Sequence, residues 1–203
     1  MGGWLRGRRR PGMPPPYAVW LLLLVAAPLA AEQSWYQAEV IIFARDGEYR
    51  NAEQWPAAPT LPDSTNARLL QPLDHPDPTL RQIPPEQQQL TEVWQRLRRS
   101  RGFKPLLHLA WQQPGLAREA AVSVALPATA ADGSAIPLLG QITLSLSRYH
   151  HLDADIAYQL PWADPEWYRL QGALRMRSGE LHYLDHPLFG LLAKVVPIAP
   201  PSP

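Results

Sequence analysis

Most of this chain alternates between apolar and polar residues with the period of two that is typical of β-strands. The clearest run is 141–158, where Ile142 and Leu152 fall on one face and Thr143 and Asp153 on the other. Runs that are rich in aromatic and β-branched residues extend the prediction to other segments. We predict strands at 35–45, 103–113, 121–126, 141–158, 167–177, 180–184 and 188–198.

One segment, residues 86–100, has the period of an α-helix instead. Its apolar side chains recur at i, i+3, i+4 and i+7, which places them in one stripe. They are Leu90, Val93, Trp94 and Leu97. Gly102 follows the segment, and glycine commonly ends helices. The sequence therefore predicts an α+β fold, in which an antiparallel sheet of five or six strands has its apolar face covered by one amphipathic helix.

Residues 46–85 lack periodicity and contain eight prolines. This composition predicts a long surface loop, partly extended. Loops of this length are uncommon in compact domains and often have a function, so both a spacer and a functional segment stay open. We also predict a disordered tail at 199–203.

Residues 1–31 have the parts of a secretory signal peptide. Four arginines and no acid precede an apolar run of 15 residues, which begins at Tyr17 and ends in small residues. An uncleaved membrane anchor is the alternative, but a span needs about 20 apolar residues. We therefore expect cleavage near Ala30 or Ala31. The product would be an exported protein in which residues 32–198 form one domain, without a membrane span.

Cleavage would change the charge of the chain. The full sequence has 19 basic and 18 acidic residues, and removal of the four arginines leaves a formal charge of −3. A nucleic-acid-binding protein needs a basic stripe, and this pattern predicts no nucleic-acid partner.

Several classes of enzyme are excluded by the residues that are missing. The chain has no cysteine, which excludes disulfides, thiol nucleophiles, cysteine zinc sites and lipid attachment to a cysteine. The motifs G-x-S-x-G, H-E-x-x-H and S-x-x-K are also absent, as are phosphate-binding and dinucleotide-binding loops. We therefore expect a protein that is not an enzyme.

The candidate site is the polar face of the later strands. If Ser178 and Gly179 form a two-residue hairpin turn, Arg175 pairs with His182. On the other side two registers remain open, since either His151 or Tyr149 can lie opposite Arg175. The candidate ligand-binding residues are Tyr149, His151, Asp153, Asp155, Arg175, Arg177, Glu180 and His182.

Arg175 argues against a metal at this face. It would lie between His151 and His182, and its guanidinium offers no lone pair and repels cations. We therefore predict no metal and no cofactor. Two interpretations stay open: a solvated face with cross-strand ion pairs, or a site for a ligand with carboxylates and sugar hydroxyls.

Four blocks of the sequence, in this order, closely resemble the CsiV family of peptidoglycan-binding proteins. The blocks are WYQAEVIIFAR at 35–45, FKPLLHLAWQQP at 103–114, SRYHHLDADIAY at 147–158 and RMRSGELHYLDHPLFG at 175–190. The resemblance implies a gammaproteobacterial periplasmic protein that binds peptidoglycan and supports cell-wall assembly and cell shape. It also implies a partner, an outer-membrane lipoprotein that activates penicillin-binding proteins.

The resemblance brings no catalytic residues with it, and two alternatives to a non-enzymatic wall binder are kept. One is a cell-wall hydrolase that uses Asp153, Asp155 or Glu180, because glycosidases can be built from two acids. The other is a protein adaptor without affinity for the wall.

Overall fold

The computed structural model describes residues 2–3, 33–45, 60–130, 133–160 and 166–201. The chain divides into two compact units, Met1–Glu32 and Gln33–Pro203, and the fold below is that of the second. The predicted signal peptide lies outside the described residues, apart from two glycines. So do the first part of the proline-rich loop and the last two residues of the predicted tail. None of the helices in the described ranges is long and apolar enough to cross a membrane.

The described residues form two antiparallel sheets. Sheet A has five strands in the order β2-β3-β1-β9-β8, and sheet B has four in the order β4-β5-β6-β7. The strands are β1 (Trp35–Arg45), β2 (Arg81–Gln82), β3 (Phe103–Pro114), β4 (Ser123–Ala125), β5 (Leu138–Leu146), β6 (His150–Gln159), β7 (Trp167–Met176), β8 (Leu181–Asp185) and β9 (Phe189–Ile198).

The predicted α+β fold, with one sheet covered by a helix, is wrong. The protein is mostly β, and its main core lies between the inward faces of the two sheets. Ile42 and Trp111 of sheet A and Ile142 and Leu152 of sheet B are all fully buried in this one cluster. The apolar face of each sheet is thus covered chiefly by the other sheet, as in a β-sandwich.

The predicted helix 86–100 is shorter and interrupted. A 3₁₀ turn at Pro85–Gln87 comes first, and the α-helix α1 spans only Thr91–Arg99. The predicted stripe of Leu90, Val93, Trp94 and Leu97 packs with Ile41 and Phe43 in a small second cluster. These two β1 residues belong to the outward face of sheet A, so α1 covers part of the outside of the sandwich.

The turns differ from the prediction at two places. The run 141–158 is a hairpin, because bends at 147–149 separate β5 from β6. The predicted hairpin across Ser178 and Gly179 is wrong, since β7 belongs to sheet B and β8 to sheet A. Gly179 has a φ of 81° and donates its N–H to the carbonyl of Val195 at 2.8 Å. The chain therefore crosses here from one sheet to the other.

Candidate ligand-binding surface

The outward face of sheet B contains most of the predicted site residues. The pairing of β6 with β7 sets His151 opposite Arg175, which confirms one of the two registers that the sequence left open. The middle of this face is a depression of about 400 Å³, where the small residue Ala173 leaves space on β7 opposite Asp153. It is lined by Gln141, Thr143, Asp153, Ala154, Asp155, Gln171, Gly172 and Ala173.

The two aspartates of this depression are already paired with arginines. The Arg169 guanidinium donates from Nε and Nη2 to both oxygens of Asp155, each at 2.7 Å, and from Nη1 to the carbonyl of Thr60 at 2.7 Å. The hydrogen bonds with Asp155 raise the pKa of Arg169 above its ordinary value. Nη2 of Arg118 lies 3.1 Å from Oδ2 of Asp153. This part of the face is therefore organised by two ion pairs, of which the pair between Arg169 on β7 and Asp155 on β6 is a cross-strand pair of the predicted kind.

We expect Arg169→Ala to lower stability without changing ligand binding. The pair with Asp155 is partly shielded from water and bidentate, and its loss also frees the loop at Thr60, so a cost of about 1–3 kcal/mol is expected. Thermal unfolding measures this loss. Gln171→Ala, on the same face of β7, is the control and is expected to melt like the wild type. An Arg169→Ala protein with unchanged stability would show that the pair is not structural.

The other end of the face is built around Tyr149, which is the last residue of the β5–β6 bend. The guanidinium carbon of Arg175 lies 4.9 Å from the centre of the Tyr149 ring, and that of Arg148 lies 5.7 Å from it. Ser147 Oγ lies 3.2 Å from Nε2 of His151 and so ties the bend to β6. The geometry places two cations on one aromatic ring, where cation–π attraction restricts their side chains.

The arginines at this end have few acidic partners. In the part of the chain that the structure describes, neither Arg148 nor Arg175 has a carboxylate within 4 Å, and Arg177 has only Glu180 at 3.8 Å. All three arginines are exposed. Two side chains that can each grip a carboxylate with parallel hydrogen bonds are thus available to a ligand. We call Arg148, Tyr149, Arg175 and Arg177 the arginine end.

A second depression, of about 420 Å³, opens beside the arginine end. It is lined by Tyr36, Leu146, Ser147, Arg148, Tyr149, His150, Met176, Arg177 and Ser178. Burial lowers the pKa of His150 below its ordinary value, and the charge of His151 adds a smaller effect in the same direction. His150 is therefore neutral at pH 7, with Nε2 3.1 Å from Ser178 Oγ and its ring edge-on to Tyr36. The depression combines an uncharged floor with a cationic rim.

A comparison with protein-family models shows to which family this chain belongs. The family model described as "Peptidoglycan-binding protein, CsiV" matches residues 17–198. The chain belongs to the CsiV family. This confirms the resemblance that the four sequence blocks carry. No curated protein and no solved structure matches the chain.

Not all the predicted residues share one surface in this CsiV-family protein. His182 lies on β8 of sheet A, where its Nε2 accepts the backbone N–H of Arg177 at 3.2 Å. The predicted position of Arg175 between His151 and His182 on one sheet is therefore wrong. It no longer supports the prediction that this face holds no metal. Glu180 lies in the connection from β7 to β8, beside Arg177. Among the described residues, no three histidines or carboxylates are grouped closely enough to hold a metal ion.

The sequence also missed several residues of this CsiV-family surface. Arg148 was left out because strand alternation places it on the face opposite Tyr149, and the bend removes that constraint. Arg169 was within reach of prediction, since it lies on the polar face of β7 close to Asp155. Arg118 comes from a 3₁₀ turn in an alanine-rich segment, which carries no signal for an ion pair with Asp153.

Proposed function

We propose that this protein binds peptidoglycan without cleaving it, and that the arginine end is the contact surface. The observation that carries the proposal is the pair of exposed guanidinium groups, Arg148 and Arg175, held on the Tyr149 ring without a carboxylate partner among the described residues. Membership of a family described as peptidoglycan-binding supports the choice of ligand.

The chemistry of the polymer fits this surface. Stem peptides have free carboxylates, which accept two parallel hydrogen bonds from one guanidinium. The glycan offers hydroxyl groups, for which Ser147 and Ser178 are donors and acceptors at the rim of the adjacent depression. Because the contacts are exposed and charged, their strength is expected to fall at high salt.

The arrangement of the carboxylates favours binding over hydrolysis. A glycosidase needs a general acid that is shielded from water and cations, beside a second carboxylate. Asp153 and Asp155 are instead each held by an arginine, on an open face. Glu180 is exposed in a turn beside Arg177, without a second carboxylate in the described contacts of that turn.

The location and partner of the protein are also part of the proposal. We propose that residues 1–31 direct export to the periplasm and are removed there. We further propose that the mature protein supports cell-wall assembly with an outer-membrane lipoprotein that activates penicillin-binding proteins. The arginine-rich, then apolar N-terminal sequence supports the first point, and the resemblance to the family supports the second.

Purified sacculi test the proposed function. The full chain is expressed with its own N terminus, recovered from the periplasmic fraction and analysed by mass spectrometry, which is expected to find a start near Glu32. The protein is expected to sediment with sacculi and to release no muropeptides on incubation. Release of muropeptides would favour the hydrolase. Failure to sediment would favour the adaptor, and an intact N terminus on membrane-bound protein would contradict cleavage.

A further inference from the structure

A strongly basic patch lies on the opposite side of the sandwich from sheet B, at the end of α1. Five cationic residues occur within nine positions, and all are exposed. They are Arg96, Arg98, Arg99, Arg101 and Lys104. None of them has a carboxylate within 4 Å in the described ranges. Glu92 lies in the first turn of the same helix, and Asp185 is paired with Arg45 at 2.7 Å. The patch is local, because the chain from residue 32 onwards has a formal charge of −3.

The helix accounts for only part of this charge. Cations in the last turn of a helix are stabilised by its dipole, which covers the arginines up to Arg99. Arg101 and Lys104 lie beyond the helix, in the following turn and at the start of β3. The positive surface therefore extends beyond the residues that the helix dipole stabilises.

Exposed apolar side chains border these cations. Phe103, 39% exposed, lies in the sequence between Arg101 and Lys104 and packs edge-on against Phe43 with ring centres 5.5 Å apart. Phe43 stacks in turn against Tyr183 at 6.2 Å. Tyr183 is itself 39% exposed. Sheet A thus presents an apolar step, made of the partly exposed rings of Phe103 and Tyr183 that both pack on Phe43, at the start of β3, where Arg101 and Lys104 flank Phe103.

We propose that this basic patch, with Phe103 and Tyr183, docks the protein on an anionic lipid surface. The cations would meet headgroup phosphates, each contributing to the attraction near an anionic membrane. The apolar step would enter the interfacial layer, where aromatic rings are well accommodated. This second element selects a lipid surface over a water-soluble polyanion, because a polyanion would leave the Phe103 and Tyr183 rings in water. The inference is separate from the arginine end, which belongs to sheet B.

Vesicle sedimentation tests the proposal. The protein is expected to sediment with vesicles of phosphatidylglycerol and phosphatidylethanolamine, and not with vesicles of phosphatidylcholine. Arg98→Glu with Arg99→Glu is expected to weaken this binding at least about tenfold. Arg101→Glu with Lys104→Glu, outside the helix, is a second double variant with the same expected result. Phe103→Ser is expected to weaken binding while leaving its salt dependence unchanged.

Sacculus binding distinguishes this surface from the arginine end. Both double variants are expected to bind sacculi like the wild type, and Arg175→Ala is expected to bind vesicles like the wild type. The proposal is overturned if the wild type ignores anionic vesicles or if it binds neutral ones equally. It is also overturned if the double variants melt normally but lose sacculi instead of vesicles, since the patch would then face the wall polymer.

Discussion

Glu39→Ala is expected to lower the free energy of unfolding by about 3–5 kcal/mol, because it removes a buried carboxylate on which several donors depend. The Glu39 carboxylate is 1% exposed, on the outward face of sheet A beneath α1. Its Oε1 accepts the backbone N–H of Leu90 at 2.7 Å and lies 2.6 Å from Nε2 of His108, while its Oε2 accepts the N–H of Gln89 at 2.6 Å. One side chain thus joins β1, β3 and the entry to α1.

Alanine would leave two backbone N–H groups and the His108 ring without their partner, away from water. Each unsatisfied buried donor costs about 1–3 kcal/mol, so the losses together account for the expected destabilisation. The total stability of a domain is only about 5–15 kcal/mol, and this single change is therefore a large fraction of it. Glu39→Gln keeps the shape but turns an amide donor towards other donors, and we expect an intermediate loss.

Thermal and denaturant unfolding measure this effect, and a fall in melting temperature of about 10 °C is expected for Glu39→Ala. Glu92→Ala is the matched control, because Glu92 is an exposed carboxylate in the first turn of the same helix. It is expected to cost no more than about 0.5 kcal/mol. Equal stability of the two variants would show that the Glu39 network does not hold α1 against sheet A.

Arg175→Ala is expected to weaken sacculus binding about tenfold to hundredfold while leaving the fold intact. The side chain points outward from β7, between the inward Leu174 and Met176, so its loss is an ordinary surface change of about 0.5 kcal/mol. A charged hydrogen-bonded contact is worth roughly 1.5–3 kcal/mol, which corresponds to the expected loss of affinity. This variant is therefore expected to keep the melting temperature of the wild type while its affinity for sacculi falls.

The neighbouring arginine extends this prediction. Arg148→Ala is expected to weaken binding in the same direction, because both guanidinium groups contact Tyr149. The two losses are not expected to add simply, since residues that share a partner are coupled. The double variant is nevertheless expected to lose at least about a hundredfold in affinity.

The sequence predicted strands well and their arrangement poorly. The strand Trp35–Arg45 was predicted with its observed bounds, because alternation and composition are local properties. Alternation also shows which side of a strand is apolar, but not what covers that side. The apolar residues of β5 and β6 could equally have faced a helix, and in the structure they face β1, β3 and β9. Long-range packing of this kind leaves no trace in a single run of residues.

The site was predicted in part, for the same reason. Matching polar with polar residues between β6 and β7 left two registers open, and the structure has the one with His151 opposite Arg175. The pairing of Arg175 with His182 across Gly179 was predicted in the same way and is wrong. A glycine with positive φ can occur in a crossover between sheets as well as in a hairpin turn. Arg148 was missed because bends at 147–149 end the alternation on which the prediction relied. Asp153 and Asp155 were predicted as site residues, but their ion-pair partners Arg118 and Arg169 were not.

A titration of purified sacculi with four proteins tests the arginine end most directly. The proteins are the wild type, the Arg148→Ala and Arg175→Ala double variant, Gln171→Ala as a control on the same face of β7, and Arg98→Ala as a control for loss of an exposed arginine. All four are expected to melt alike. The account predicts that only the double variant loses affinity, by at least about a hundredfold, and that high salt weakens the wild type in the same direction. A double variant that melts normally and binds sacculi like the wild type would contradict it.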